Sequence, residues 1–77
     1  MTMEIQGRNA IVVGLGRSGV AAARLLLARG AQVVATDSAP IEKLSEDACG
    51  LAALGVTLSV GGHDDALFAN ASLVVVS

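Results

Sequence analysis

The sequence predicts an α/β fold, an open parallel sheet whose strands and helices alternate in the order β-α-β-α-β-α-β. Three observations lead to this prediction. The 77 residues are 53% hydrophobic with a mean hydropathy of +0.68, which favours strands covered on both faces. Short β-branched runs alternate with longer runs that favour helix. Glycines separate many of these runs, and one strand-to-helix junction has three of them in a G-x-G-x-x-G spacing.

The first strand is predicted over residues 9–14, where a β-branched run leads directly into glycine. A helix over residues 17–29 follows, because Ala and Leu dominate that stretch and no proline interrupts it. Arg29 in its last turn complements the helix dipole. Gly30 directly after it is typical of the residue that ends a helix.

Three further strands and two further helices complete the predicted order. They are strands over residues 32–36, 56–60 and 73–77, and helices over residues 40–54 and 63–70. Pro40 favours the start of the longer helix, and Gly55 is expected to end it. Because successive strands are parallel, we expect right-handed crossovers between them.

Composition and charge argue against several classes of function. With a net charge of −2 and no cluster of Lys or Arg, the chain lacks what binding to a nucleic-acid backbone requires. No segment has the ~18 apolar residues of a membrane helix, and no signal-peptide pattern is present. Cys49 is the only cysteine, so the sequence supports neither a disulfide nor a cysteine metal site. We expect a cytoplasmic chain without metal that contacts neither nucleic acid nor membrane.

The motif G-L-G-R-S-G, which begins at Gly14, is the main functional motif of the sequence. Gly14 permits a tight turn, Gly16 lets the backbone approach a phosphate, and Gly19 lets the helix pack closely on the strand. The N–H groups at the start of the helix, around Arg17 and Ser18, would then face an anion. The motif predicts a binding site for a nucleotide diphosphate.

Asp37 ends the second predicted strand, 18 residues after Gly19, where a dinucleotide-binding loop has its acidic partner. Its carboxylate could accept hydrogen bonds from a ribose or a base, and Ser38 could also contact the ligand. The alternative is that Asp37 or Ser38 caps the helix expected from Pro40. Glycine loop and acidic residue together predict a Rossmann-like domain.

Several motifs resemble the N-terminal domain of the MurD ligases, the UDP-N-acetylmuramoyl-L-alanine:D-glutamate ligases of peptidoglycan synthesis. They are the Q-G-R-N lead-in, the glycine loop, the D-S pair after the second strand and the final V-V-S. The resemblance covers essentially all 77 residues. In that family the last serine precedes Pro-Gly, so we expect residues 1–77 to be a single UDP-substrate-binding domain, a fragment of a longer multidomain ligase.

The resemblance also implies how the parent enzyme works. The UDP part of UDP-MurNAc-L-alanine would bind this domain, ATP with Mg²⁺ a central domain, and D-glutamate a C-terminal domain, in a monomeric enzyme. The substrate carboxylate would become an acyl phosphate, which the amino group of D-glutamate then attacks. The 77 residues contain no Walker-type loop and no magnesium-binding cluster. We therefore expect them to bind substrate and to contribute no catalytic residue and no cofactor of their own.

Carried over by position, the resemblance implies a set of UDP-binding residues. They are Gly14, Leu15, Gly16, Arg17, Ser18, Gly19, Asp37, Ser38 and Ser77. Asp37 and Ser38 match the pair at the uracil end, and Ser77 lies beside the loop that would follow it. Ala39 replaces an arginine of some family members, so no side-chain contact is carried over from that position.

Two other interpretations stay open. A glycine loop with a strand-end acid is also typical of NAD-binding domains, either in regulatory modules of the potassium-uptake type or in dehydrogenases. A domain that only packs within a larger assembly would bind no nucleotide at all.

His63, the only histidine, could contact a ligand or be a solvated loop residue.

Overall fold

A computed structural model of the chain describes residues 6–62 and 65–77. Within them, strands and helices alternate in the predicted order, with a short 3₁₀ turn after the second strand. Their bounds are β1 Asn9–Val13, α1 Arg17–Ala28, β2 Gln32–Asp37, the 3₁₀ turn Ile41–Lys43, α2 Glu46–Leu54, β3 Thr57–Val60, α3 Asp65–Ala69 and β4 Leu73–Val76. The predicted α/β fold is confirmed. His63, where the third helix was expected to begin, lies outside the described residues.

The four described strands form one parallel sheet in the order β3-β2-β1-β4. The chain adds β2 and β3 on one side of β1 and then crosses over to place β4 on its other side. The strand order therefore reverses between β1 and β4. In open α/β sheets, ligands bind at the carboxyl ends of the strands beside such a reversal, and the glycine loop follows β1 at this point.

The hydrophobic core contains residues of the sheet, of α1 and of α2. Val12 and Leu51 are fully buried in it. Leu15, which directly follows the first glycine of the loop, belongs to the same cluster and is 4% exposed. Burial of this side chain anchors the glycine loop to the core, since exposing it would cost roughly 1.5–3 kcal/mol.

The helix predicted over residues 40–54 is divided, and the prediction is wrong for its first part. The 3₁₀ turn ends at Lys43, and the backbone of the next residue, Leu44, is extended with ψ 154. Helix α2 begins after Ser45, whose Oγ accepts a hydrogen bond from the N–H of Ala48 at 3.1 Å. This cap satisfies one of the free amides of the first turn, so the helix starts there. Gly55 ends α2 with φ +111, as predicted.

The other boundaries are close to the predicted ones. All four strands and α1 differ from their predicted ranges by one residue at one end. Gly30 follows α1 with φ +87, the conformation expected of a residue that ends a helix. No helix in the described part of the chain is long and apolar enough to span a membrane.

Candidate nucleotide-binding site

The chain leaves β1 through a residue with left-handed backbone conformation. Gly14 has φ +96, which residues with a Cβ atom rarely adopt. A Cβ atom on Gly14 would also come within 2.8 Å of the Oγ of Ser77. Gly14 therefore makes the tight turn that the motif predicts.

The other two glycines of the loop have opposite environments. Gly19 is buried, and a Cβ atom there would overlap the carbonyl oxygen of Gly14, so α1 packs directly on the loop. Gly16 is exposed, and a Cβ atom built on it meets no atom of the described residues within 4 Å. The space beside Gly16 is open to a ligand.

The start of α1 is suited to binding an anion. Gly16 is its N-cap, and no side chain of the described residues accepts a hydrogen bond from the first turn. The first amides of a helix have no acceptor within the helix, and they lie at the positive end of its dipole. Arg17 and Ser18, the first two helical residues, are exposed. A phosphate group beside this turn would find N–H donors and a cationic side chain.

Asp37 contacts the loop from the β2 side. Its Oδ2 accepts a hydrogen bond from the N–H of Leu15 at 2.8 Å, and its Oδ1 accepts one from the N–H of Ala39 at 2.9 Å. The carboxylate thus joins the glycine loop to the turn after β2, a bond that spacing in the sequence could not reveal. The expected alternative, a cap on the next helix, is not its role, because Ser45 caps α2. Ser38 is exposed in the same turn.

Ser77 contacts the loop from the β4 side. Its N–H donates to the carbonyl oxygen of Val13 at 3.1 Å, and its Oγ donates to that of Gly14 at 3.0 Å. The Oγ also lies 3.2 Å from the carbonyl oxygen of Val13. Ser77 therefore lies beside the glycine loop, with its hydroxyl hydrogen-bonded to the loop backbone, a contact that the sequence did not indicate.

A groove of about 870 Å³ lies between the loop with α1 on one side and the segment from Asp37 to the start of α2 on the other. Its lining residues are Leu15, Gly16, Arg17, Val20, Ala21, Arg24, Asp37, Ala39, Lys43, Leu44, Ser45 and Asp47. The 3₁₀ turn and the start of α2 also line this groove, which the sequence did not indicate. Ser45 followed by two acidic residues is a pattern typical of a helix start, and it could have indicated that the chain turns here.

Charges of both signs surround this groove. Arg24 forms an ion pair with Asp47, with Nη2 and Oδ1 3.8 Å apart, which connects α1 to α2. Both side chains are more than half exposed, so the pair contributes little to stability.

Within the described residues, no group of three or more His, Cys, Asp or Glu side chains could hold a metal ion. The groove is lined by cationic side chains, such as Arg17 and Lys43, and by apolar ones, such as Leu15 and Val20, next to the N–H donors at the start of α1, which suits a ligand with an anionic group.

Comparison with known proteins identifies the family. Residues 8–77 match the family described as Mur ligase MurD-like, N-terminal domain. The chain belongs to this MurD-like family. It is 47% identical over 75 residues to the UDP-N-acetylmuramoylalanine–D-glutamate ligase of Desulfosudis oleivorans and 49% over 77 residues to that of Chromobacterium violaceum. Each match covers 97% of this chain and 16% of the relative, so the chain spans about a sixth of the length of these ligases.

Solved structures with the same fold include dehydrogenases. The D-lactate dehydrogenase of Escherichia coli matches the MurD-like chain with a TM-score of 0.72 and 29% identity, over 97% of this chain and 21% of the enzyme. The precorrin-2 dehydrogenase SirC matches with a TM-score of 0.80 and 18% identity, over 100% of this chain and 37% of SirC. The second likeness shows the fold alone. Both confirm the Rossmann-like architecture, which by itself does not distinguish one nucleotide from another.

Proposed function

We propose that the chain is the substrate-binding N-terminal domain of a ligase that adds D-glutamate to UDP-N-acetylmuramoyl-L-alanine, in the cytoplasmic synthesis of peptidoglycan precursors. The observation that supports this most strongly is the family match over residues 8–77. The 47–49% identity to ligases named for this reaction agrees with it. In the parent enzyme, which we take to be a monomer, ATP and Mg²⁺ bind other domains. These residues hold the substrate while chemistry proceeds elsewhere.

The diphosphate of the substrate binds at the glycine loop in this proposal. The uncapped start of α1 supplies N–H donors, and the guanidinium of Arg17 supplies positive charge. The open space beside Gly16 lets phosphate oxygens approach the backbone. The hydroxyl of Ser18, exposed in the first turn, adds a further donor.

The uridine occupies the groove next to the loop. Asp37 and Ala39 line its wall, and Ser38 is exposed in the turn between them. A carboxylate oxygen has two lone pairs, so Asp37 can accept a hydrogen bond from a nucleoside while it keeps its bonds to the backbone. Leu15 contributes apolar surface to the same groove. We place the uracil end at this turn.

A second candidate function is binding of NAD. It is favoured by the likeness to D-lactate dehydrogenase at 29% identity with a TM-score of 0.72, since dehydrogenases use such loops for dinucleotides. The ligase family match and the higher identity to the ligases weigh against it. The two candidates share the phosphate site and differ in the nucleoside that follows.

An NMR titration of the ¹⁵N-labelled chain with UDP tests the proposed site residue by residue. Amide resonances of residues 14–19 and 37–39 should shift and saturate together. Those of Ala31 and Thr57, near the amino ends of the strands β2 and β3, should not move, which provides an internal control. Shifts confined to the amino ends of the strands, or no saturable shift at all, would contradict the proposal.

A further inference from the structure

Two consecutive peptide groups at the start of the glycine loop are held between the ends of β2 and β4. In the first, between Val13 and Gly14, the N–H donates to the carbonyl oxygen of Thr36 at 2.8 Å. Its carbonyl oxygen accepts a hydrogen bond from the N–H of Ser77 at 3.1 Å. These are backbone bonds, so the parallel ladder continues to this point.

In the second peptide group, between Gly14 and Leu15, side chains replace the backbone partners. The carbonyl oxygen of Gly14 accepts a hydrogen bond from the Oγ of Ser77 at 3.0 Å. The N–H of Leu15 donates to the Oδ2 of Asp37 at 2.8 Å. Asp37 and Ser77 thus bond to opposite ends of the same peptide group and extend the ladder by one step beyond the strands.

We propose that Asp37 and Ser77 are positioning residues that fix the Gly14–Leu15 peptide and so orient the loop toward the diphosphate. This inference rests on the function proposed above. A peptide beside glycine rotates more easily than one between other residues, since no Cβ atom restricts Gly14. A hydrogen bond at each end of the peptide opposes that rotation. A loop already held in its binding conformation loses less entropy when the ligand arrives.

The chain offers variants that separate this role from a general effect on folding. Ser77→Ala removes the donor to Gly14, whereas Ser77→Thr keeps a hydroxyl. Leu15 and Ala39 bond to different carboxylate oxygens of Asp37, so Asp37→Asn turns an NH2 group toward one of these two N–H donors and loses that bond. Ser72→Ala is the matched control, because Ser72 is an exposed serine directly before the other end of β4.

The first readout, hydrogen exchange of the Leu15 amide, needs no ligand. In Ser77→Ala the amide should exchange about two- to tenfold faster, as expected for the loss of one hydrogen bond that holds its peptide. The amide of Leu26 in α1 should keep its rate in all variants, and Ser77→Thr should restore that of Leu15. Unchanged exchange of Leu15 in Ser77→Ala would overturn the inference.

The second readout compares the affinities for UDP and uridine. Ser77→Ala should weaken UDP binding about two- to tenfold and weaken uridine binding by a smaller factor, since the diphosphate binds the loop backbone whereas the uridine only borders it. Asp37→Asn combined with Ser77→Ala should weaken UDP binding by less than the product of the two single effects, because both act on one peptide. Equal losses for UDP and uridine in Ser77→Ala, or multiplicative losses in the double variant, would overturn the inference. If the unaltered chain binds no UDP, the proposed function fails, and the exchange rates still decide the positioning role.

Discussion

Gly19 lies so close to Gly14 that a Cβ atom on Gly19 would overlap the carbonyl oxygen of Gly14. The obstacle is backbone, which cannot move aside as the end of a flexible side chain can. The same Cβ atom would also lie 3.1 Å from the Oγ of Ser77. Packing of α1 on the loop therefore requires glycine at this position.

We predict that Gly19→Ala lowers the free energy of unfolding by about 1–3 kcal/mol, the usual cost of forcing an extra methyl group into a packed site. Urea denaturation followed by circular dichroism measures this. Gly50→Ala is the control: Gly50 is exposed within α2, and a Cβ atom there meets no described atom within 4 Å. That variant should gain about 0.5–1 kcal/mol, because alanine favours helix. A Gly19→Ala chain as stable as the unaltered one would contradict the packing argument.

A substitution at Gly16 tests ligand binding, whereas the substitution at Gly19 tests folding. Because the space beside Gly16 is open, Gly16→Val should cost about 1 kcal/mol of stability at most, through its effect on the start of α1. The valine side chain would fill the open space through which we propose that phosphate oxygens approach, so UDP binding should fall below detection by calorimetry. Retained UDP affinity in a folded Gly16→Val chain would show that the loop is not the site.

Arg17 is predicted to contribute its charge to diphosphate binding. Arg17→Gln should weaken UDP binding about tenfold, in line with loss of one charged hydrogen bond. The remaining affinity should depend less on salt. Arg29→Gln is the matched control, since Arg29 is exposed at the other end of the same helix. Equal effects of the two substitutions would mean that net charge, and not the position of Arg17, determines affinity.

Ser45 tests the start of α2. Ser45→Ala removes the acceptor for the N–H of Ala48 and should lower the free energy of unfolding by about 1 kcal/mol. Ser45→Asp preserves the cap and should leave stability close to that of the unaltered chain, as thermal unfolding can show. If Ser45→Ala unfolds at the same temperature as the unaltered chain, the helix start is determined by other contacts.

Local sequence patterns predicted most of the fold. The β-branched run before Gly14 and the Ala- and Leu-rich run after it gave β1, the loop and α1 to within one residue. Prediction failed over residues 40–45, where Pro40 and Ser45 both favour a helix start. The hydroxyl of Ser45 satisfies an amide of α2, whereas Pro40 has no such bond to offer, so only the 3₁₀ turn follows it.

The sequence predicted the residues around the glycine loop as a candidate site, but not the hydrogen bonds between them. The motif and the resemblance named Asp37 and Ser77. That they bond to the two ends of one peptide depends on β1 lying between β2 and β4. Strand order arises from packing between distant segments, so no local pattern contains it. The groove beside Lys43 was not predicted for the same reason. It forms where residues 40–54, which were expected to be one helix, lie next to α1.

Above all, we propose that the chain binds a uridine diphosphate at its glycine loop. Calorimetric titration of the unaltered 77-residue chain with UDP and, separately, with NADH tests this most directly. We predict saturable binding of UDP with one site per chain and no measurable heat with NADH. Tight binding of NADH without a response to UDP would contradict the claim and assign the loop to a dinucleotide.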